Sequence, residues 1–213
     1  MKLYSYYRSS AAYRVRIALN LKGLTAEYVP VHLRKGEQKA PPFAALNPQK
    51  LVPALATDDG ALLTQSLAII EWLEEVHPHP ALLPPEPDER ARVRALALAI
   101  ACDIHPLNNL RVLHHLRDRL GQDEEGRNAW YRHWVTEGFA ALEALLANDP
   151  RTGRFCHGDQ PTLADVCLVP QVYNAERVSC DLTPFPTIVR LAEAARALPA
   201  FADAAPERQP DAE

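Results

Sequence analysis

No stretch of this chain approaches the ~20 consecutive apolar residues of a membrane-spanning helix, so no membrane partner is expected. The opening Met1-Lys2-Leu3-Tyr4-Ser5-Tyr6 carries no apolar run of the kind an export signal has, and a cytoplasmic location is expected by default. Lysine- and arginine-rich blocks are missing too. With 23 basic against 27 acidic side chains the formal charge is −4, which argues against nucleic acid or an anionic membrane surface as main partner but leaves room for a local basic pocket. The only cysteines are Cys102, Cys156, Cys167 and Cys180, with no Cys-x-x-Cys pair and no Cys/His spacing, so reduced and mostly buried thiols are expected. The close pairs His77/His79 and His114/His115 lack cysteine or carboxylate partners at ligand spacing, and no metal is expected. Internal repeats and low-complexity tracts are absent as well.

What is present reads as an ordinary globular protein. At 213 residues and 47% hydrophobic content the chain can build two small domains or one large one. The first part alternates. Residues 2–6 and 26–31 read as strands, and between them 14–22 places Val15, Ala18 and Leu19 at helical spacing with Gly23 as the stop. Segments 53–56 and 61–63 flank Asp58-Asp59-Gly60, a hairpin signal, and 65–75 is a helix with Leu67, Ile70 and Leu73 on one face. The order is β-α-β, a connection containing Pro41-Pro42, then β-β-α. Prolines at 78, 80, 84, 85 and 87 make a stiff connector. Beyond it 89–120 (interrupted at Pro106), 124–147, 163–178 and 186–198 all read as helices, and the tail after Pro206 as extended. The expected fold is an α/β domain over 1–82 followed by an all-α domain over 88–213.

Two local patterns need separate mention. A Val52-Pro53 at the start of a strand suggests an edge or a cis peptide, since proline donates nothing to a central ladder. Bent there, the chain would offer a backbone N–H and C=O to whatever lies in front of it. Thr162-Leu163-Ala164-Asp165 fits a capping box, and its meaning is structural.

More specific is the run Arg8-Ser9-Ser10-Ala11-Ala12-Tyr13-Arg14-Val15-Arg16-Ile17-Ala18-Leu19. It resembles the active-site signature of zeta-class glutathione transferases, Ser-Ser-Cys-x-Trp/His-Arg-Val-Arg-Ile-Ala-Leu. The resemblance continues through Ala45-Leu46-Asn47-Pro48, Gln65-Ser66-Leu67-Ala68-Ile69-Ile70-Glu71, Asp165-Val166-Cys167-Leu168-Val169-Pro170-Gln171, Asp181-Leu182-Thr183-Pro184-Phe185-Pro186-Thr187-Ile188 and Gln209-Pro210-Asp211. Two positions depart from the signature: Ala11 stands at its cysteine and Tyr13 at its Trp/His. The resemblance implies a thioredoxin-like N-terminal domain, an all-helical C-terminal domain, glutathione as cofactor and a homodimer. It also implies cis–trans isomerisation of maleylacetoacetate or maleylpyruvate. A general glutathione transferase, a glutathione-dependent dehalogenase of α-halo acids, and a non-catalytic binding module are the alternatives.

Such an isomerisation needs a thiolate. A thiol of pKa ~8.5 is only a few per cent ionised at pH 7, and lowering it by ~2 units takes about 2.7 kcal/mol of preferential stabilisation. A helix N-terminus plus one hydroxyl donor supplies energy of that order. Ser9 is the expected donor, with plain N-capping as its alternative, and Ser10 is the second candidate. For the rest of glutathione the resemblance implies strand-like pairing by the Val52 backbone, the γ-glutamyl carboxylate at Gln65 and Ser66, and the glycyl end near Gln38. From the helical domain it implies His105, Asn109 and Arg111. Arg8, Arg111 and Arg177, from segments the family fold brings to one cleft, are the expected captors of the dicarboxylate substrate. Arg14 and Arg16 read as surface or salt-bridge residues.

Overall fold

Four short strands, β1 (Lys2–Ser5), β2 (Glu27–Pro30), β3 (Ala54–Ala56) and β4 (Leu62–Thr64), form one sheet in the order β2-β1-β3-β4. The β1–β2 pair is parallel and the other two are antiparallel, so the expected β-α-β and β-β-α halves meet at the β1–β3 seam. Residues Met1–Glu213 are described by this computed structural model, and they divide into two compact units.

The first unit holds the sheet with α1 (Ser10–Leu21), α2 (Pro41–Leu46) and α3 (Ser66–Val76). Helix α1 begins at Ser10 rather than at residue 14, because Ser9 caps it ahead of the first apolar repeat. Its residues Ser10 and Ala12 through Leu19 are all buried, so it has no wet face over that stretch. The connection holding Pro41-Pro42 is itself a helix. Proline at the first positions sacrifices no intrahelical bond, and its fixed φ suits the first turn.

Every element after 88 is helical, as expected, but the last segment does not stay with the other helices. Segment Ala197–Glu213 belongs to the first unit, not to the helical one. Nor is its end extended: α9 (Pro199–Ala202) is followed by a 3₁₀ turn, Pro206–Arg208. The physical reason is a set of side-chain to backbone bonds onto the sheet unit. Tyr13 Oη donates to the Phe201 carbonyl at 3.3 Å, and Asn20 Nδ2 to that of Ala200 at 3.0 Å.

The second unit, Leu82–Arg196, contains α4 (Pro87–Leu98), α5 (Leu110–Leu120), α6 (Glu124–Ala147), α7 (Leu163–Arg177) and α8 (Pro186–Arg196). Helix α7 is its core. Every residue from Leu163 to Val172 is buried, between α4 and α8. The expected capping box starts it: Thr162 N–H and Oγ1 donate to Asp165 Oδ2 at 2.8 and 2.9 Å. Between α4 and α5 the chain makes a π-helical turn, Ala99–Ile104, and a 3₁₀ turn, His105–Asn108. Helix α6 fixes that stretch closely. A Cβ on Gly138 would lie 2.3 Å from Ile104 Cδ1, and Trp130 Nε1 donates to the Leu107 carbonyl at 2.9 Å. No helix is long and apolar enough to cross a membrane.

Candidate active site

Strand β1 runs out through Tyr6-Tyr7 into Arg8-Ser9, and the Ser9 N–H turns back to the Tyr6 carbonyl at 2.9 Å. Ser9 is extended, with φ −70° and ψ 111°, and its Oγ accepts from the Ala12 N–H at 3.2 Å. The capping role weighed for Ser9 is therefore present. It does not compete with the donor role. A hydroxyl has two lone pairs and one proton, and this bond uses a lone pair only. Ser10, buried, opens the helix behind it.

Val52 lies at the same end of the sheet. The Val52–Pro53 bond is cis, and β3 begins only at Ala54, so Val52 adds no rung to the ladder. Extending the Tyr4↔Ala54 and Ala54↔Thr64 registers by two residues sets Val52 level with Tyr6 on one side and Ser66 on the other. Its side chain packs with Tyr6, Tyr7, Val31 and Phe43. The turn ahead of it is fixed by the buried Asn47, whose Oδ1 accepts from the Gln49 N–H at 3.0 Å and whose Nδ2 donates to the Leu51 carbonyl at 2.9 Å.

At the start of α3 neither Gln65 nor Ser66 caps the helix with its side chain. Gln65 occupies the cap position without a side-chain cap bond; its Nε2 donates to Gln49 Oε1 at 3.1 Å instead. Ser66 is the first helical residue, and its Oγ accepts from Arg14 Nη1 at 3.3 Å. No acidic side chain sits in the first turn, so the partial positive charge of the α3 N-terminus stays available for an anion. Arg14 reinforces it from 2% exposure, correcting the reading of that residue as surface. Gln65 also has φ 71° and ψ 119°, a conformation that costs a non-glycine residue ~1–3 kcal/mol. Glycine relieves that strain but loses ~0.5–1 kcal/mol of chain entropy. Gln65→Gly is thus expected to stabilise the fold by about 1 kcal/mol in urea unfolding. A destabilised variant would show that the bond to Gln49 outweighs the strain.

Gln38 sits in a 3₁₀ turn, Glu37–Lys39, on the segment after β2. It is 9% exposed, and its buried Oε1 has no hydrogen-bond partner in the protein. A buried acceptor left bare costs ~1–3 kcal/mol, which a ligand N–H would recover. Arg8, Ser9, Ser10, Val52, Gln65 and Ser66 thus cluster at one end of the sheet, with Gln38 on the adjoining segment.

The second unit carries the other expected residues on two stretches. His105, Asn109 and Arg111 follow one another around the 3₁₀ turn and the start of α5, where Asn109 Oδ1 caps the helix by accepting from the Arg111 N–H at 3.1 Å. Arg177 ends α7, exposed, with its guanidinium carbon 5.8 Å from the ring centroid of Tyr131 on α6. One neighbouring residue stands out only in the structure. Asn108 is 7% exposed, and neither its Oδ1 nor its Nδ2 has a partner. Nothing in the local sequence separates it from Asn109; only burial does.

These features of the first unit suit a peptide-like anion: an open strand end, a helix N-terminus without a cap, two hydroxyls held through their oxygens, and the bare buried amide oxygen of Gln38. Comparison with known proteins agrees. Residues 8–76 match the glutathione S-transferase N-terminal domain and residues 128–206 the C-terminal domain. The chain is 57% identical over 212 residues to a maleylpyruvate isomerase of Ralstonia sp., covering 99% of both sequences. It superposes with TM-score 0.98 and 55% identity, over 100% of both chains, on a holo maleylpyruvate isomerase described as a bacterial zeta-class glutathione S-transferase. A maleylacetoacetate isomerase of Methylobacterium extorquens AM1, solved with malonate and glutathione, matches at TM-score 0.97 and 46% identity, again over 100% of both chains.

Proposed function

This chain belongs to the glutathione transferase family, in its zeta class, and from that we infer that it is a glutathione-dependent cis–trans isomerase of maleylacetoacetate or maleylpyruvate. The observation that carries the reading is the state of Ser9 and Ser66. Each hydroxyl accepts from an N–H of the protein, at 3.2 and 3.3 Å, which orients the oxygen and leaves its proton for a ligand. When bound, glutathione would supply a nucleophilic thiolate for reversible addition to the alkene, which is the chemistry a cis–trans isomerisation needs.

The protein's part is to hold and to polarise. Ser9 donates to the sulfur, and the N-terminus of α1, with the Ser10 and Ala11 N–H groups, adds a favourable potential. Having no side-chain proton to give, Ala11 takes part only through its backbone. Val52 pairs with the cysteinyl backbone, as an added strand does. Gln65, Ser66 and the α3 N-terminus receive the γ-glutamyl carboxylate, backed by the buried charge of Arg14. Gln38 meets the glycyl end, and the family resemblance adds His105, Asn109 and Arg111 as polar contacts. Arg8, Arg111 and Arg177 take the substrate's carboxylates. As in the family at large, the enzyme is taken to be a cytoplasmic homodimer.

Turnover of either acid is expected to require glutathione without consuming it. Isomerisation followed by absorbance, with free thiol measured in parallel, checks this. Steady loss of thiol with both acids would make the chain a conjugating transferase instead.

A further inference from the structure

The peptide that leads into the active-site serines is held on both sides. Tyr7 donates its N–H to Asp211 Oδ2 at 3.1 Å, and its carbonyl accepts from Arg16 Nη2 at 3.0 Å. Arg16 Nη1 reaches Ser5 Oγ at 3.3 Å and the Tyr6 carbonyl at 3.4 Å, while its Nε donates to the Ala204 carbonyl at 3.0 Å. The Tyr6 carbonyl in turn receives the Ser9 N–H. Asp211 is itself fixed, because Tyr28 Oη donates to its Oδ1 at 2.6 Å. Burial and that bond hold the Tyr28 phenol above its ordinary pKa, so it remains a donor. Arg16 is 5% exposed, and its guanidinium is spent on backbone carbonyls and one hydroxyl. Burial pulls it down to about 10, which leaves it charged at neutral pH.

We propose that Asp211 and Arg16 are positioning residues for the isomerase site: together they clamp the Tyr7 peptide and so set where Arg8 and Ser9 stand. All groups in the clamp lie in the first unit, and half of it comes from Ala197–Glu213. The bonds described for both side chains go to the protein itself, so they act through the Tyr7 peptide. The reason to expect a catalytic effect is distance in sequence. Tyr7 is two residues ahead of Ser9, with little chain in which to absorb a shift. A donor displaced by ~1 Å can cost up to 10²-fold in rate. The surface reading of Arg16 is thereby corrected as well.

The proposal rests on glutathione being bound at Ser9, but not on which acid is isomerised. Its test is therefore read first on the complex with glutathione alone, as the thiolate absorbance titration of the bound thiol. In Asp211→Ala the midpoint is expected to rise by about one pH unit, with kcat down roughly tenfold and a melting temperature lowered by a few degrees, because the Tyr7 N–H and the Tyr28 hydroxyl lose their acceptor. The direction discriminates. Loss of a nearby carboxylate acting only through space would favour the thiolate and move the midpoint down. Asp211→Asn keeps an acceptor for the Tyr7 N–H and is expected within about twofold of the parent. Two results would overturn the clamp: an Asp211→Ala midpoint at or below the parent's, or an Asn variant as impaired as the Ala one. Failure of turnover with both acids, alongside an upward titration shift in Asp211→Ala, would sink the isomerase reading and keep the clamp.

Discussion

Ser9→Gly is expected to lower kcat by roughly 10²-fold or more, the loss that follows when one preorganised donor worth ~3 kcal/mol is removed. Glycine is a better choice than alanine here. Ser9 Oγ caps α1 through the Ala12 N–H, and alanine at such a position costs ~0.5–2 kcal/mol of stability where glycine costs a few tenths. Ser9→Gly therefore separates the two jobs of one oxygen. Ser9→Thr keeps both the cap and the proton and should retain most activity. Bound-thiol titration should move upward in the glycine variant and stay near its normal place in the threonine one. A glycine variant with near-parent kcat and an unmoved titration would leave Ser9 as a cap alone, and would pass the donor role to Ser10.

Removing a substrate-binding arginine should look different. Arg177→Ala is expected to reduce kcat/KM for the dicarboxylate by roughly ten- to a hundredfold, since charged hydrogen bonds contribute ~1.5–3 kcal/mol. Glutathione affinity should hardly change. The fold should tolerate the substitution, because Arg177 is exposed at the end of α7 and its one described partner is the Tyr131 ring. Lysine should rescue only in part, keeping the charge and losing the two-pronged geometry. A neutral electrophile such as an aryl halide is the control. Equal losses on charged and neutral substrates would make Arg177 a structural residue and remove the physical support for carboxylate capture.

Much of this was legible in the amino-acid sequence, for reasons that differ from residue to residue. Val52-Pro53 announces itself because proline's missing donor restricts where a sheet can take it. Gln65 and Ser66 are visible as the opening of an apolar-periodic helix, where backbone N–H groups can meet an anion. Arg14 and Arg16 were misjudged because amphipathic reasoning assumes a wet face. Helix α1 is buried from Ala12 to Leu19, so a charge within it has nowhere exposed to go. The clue was present in the density of Ala, Val, Ile and Leu around both arginines. The return of Ala197–Glu213 to the first unit was invisible for another reason. Composition shows where a chain changes character, at the prolines after 76, but return to an earlier sheet depends on bonds such as those to Ala200, Phe201, Ala204 and Asp211. Those pair residues about two hundred positions apart, beyond any local pattern.

That return has a consequence for how the protein is made. The chain leaves its first unit at Ala81 and re-enters it at Ala197, so the sheet unit is discontinuous in sequence. During synthesis β1 and α1 emerge early, yet the carboxylate and carbonyls that hold Tyr7 and Arg16 emerge only after the whole helical unit. Until then a buried guanidinium and an active-site peptide wait without their final partners. The helical unit has the opposite character: its residues are contiguous, and all its internal contacts are available at once. On a ribosome the natural order is thus inverted. The part that begins the sequence is the last to be completed, and a chain released early would carry the serines without the clamp that positions them.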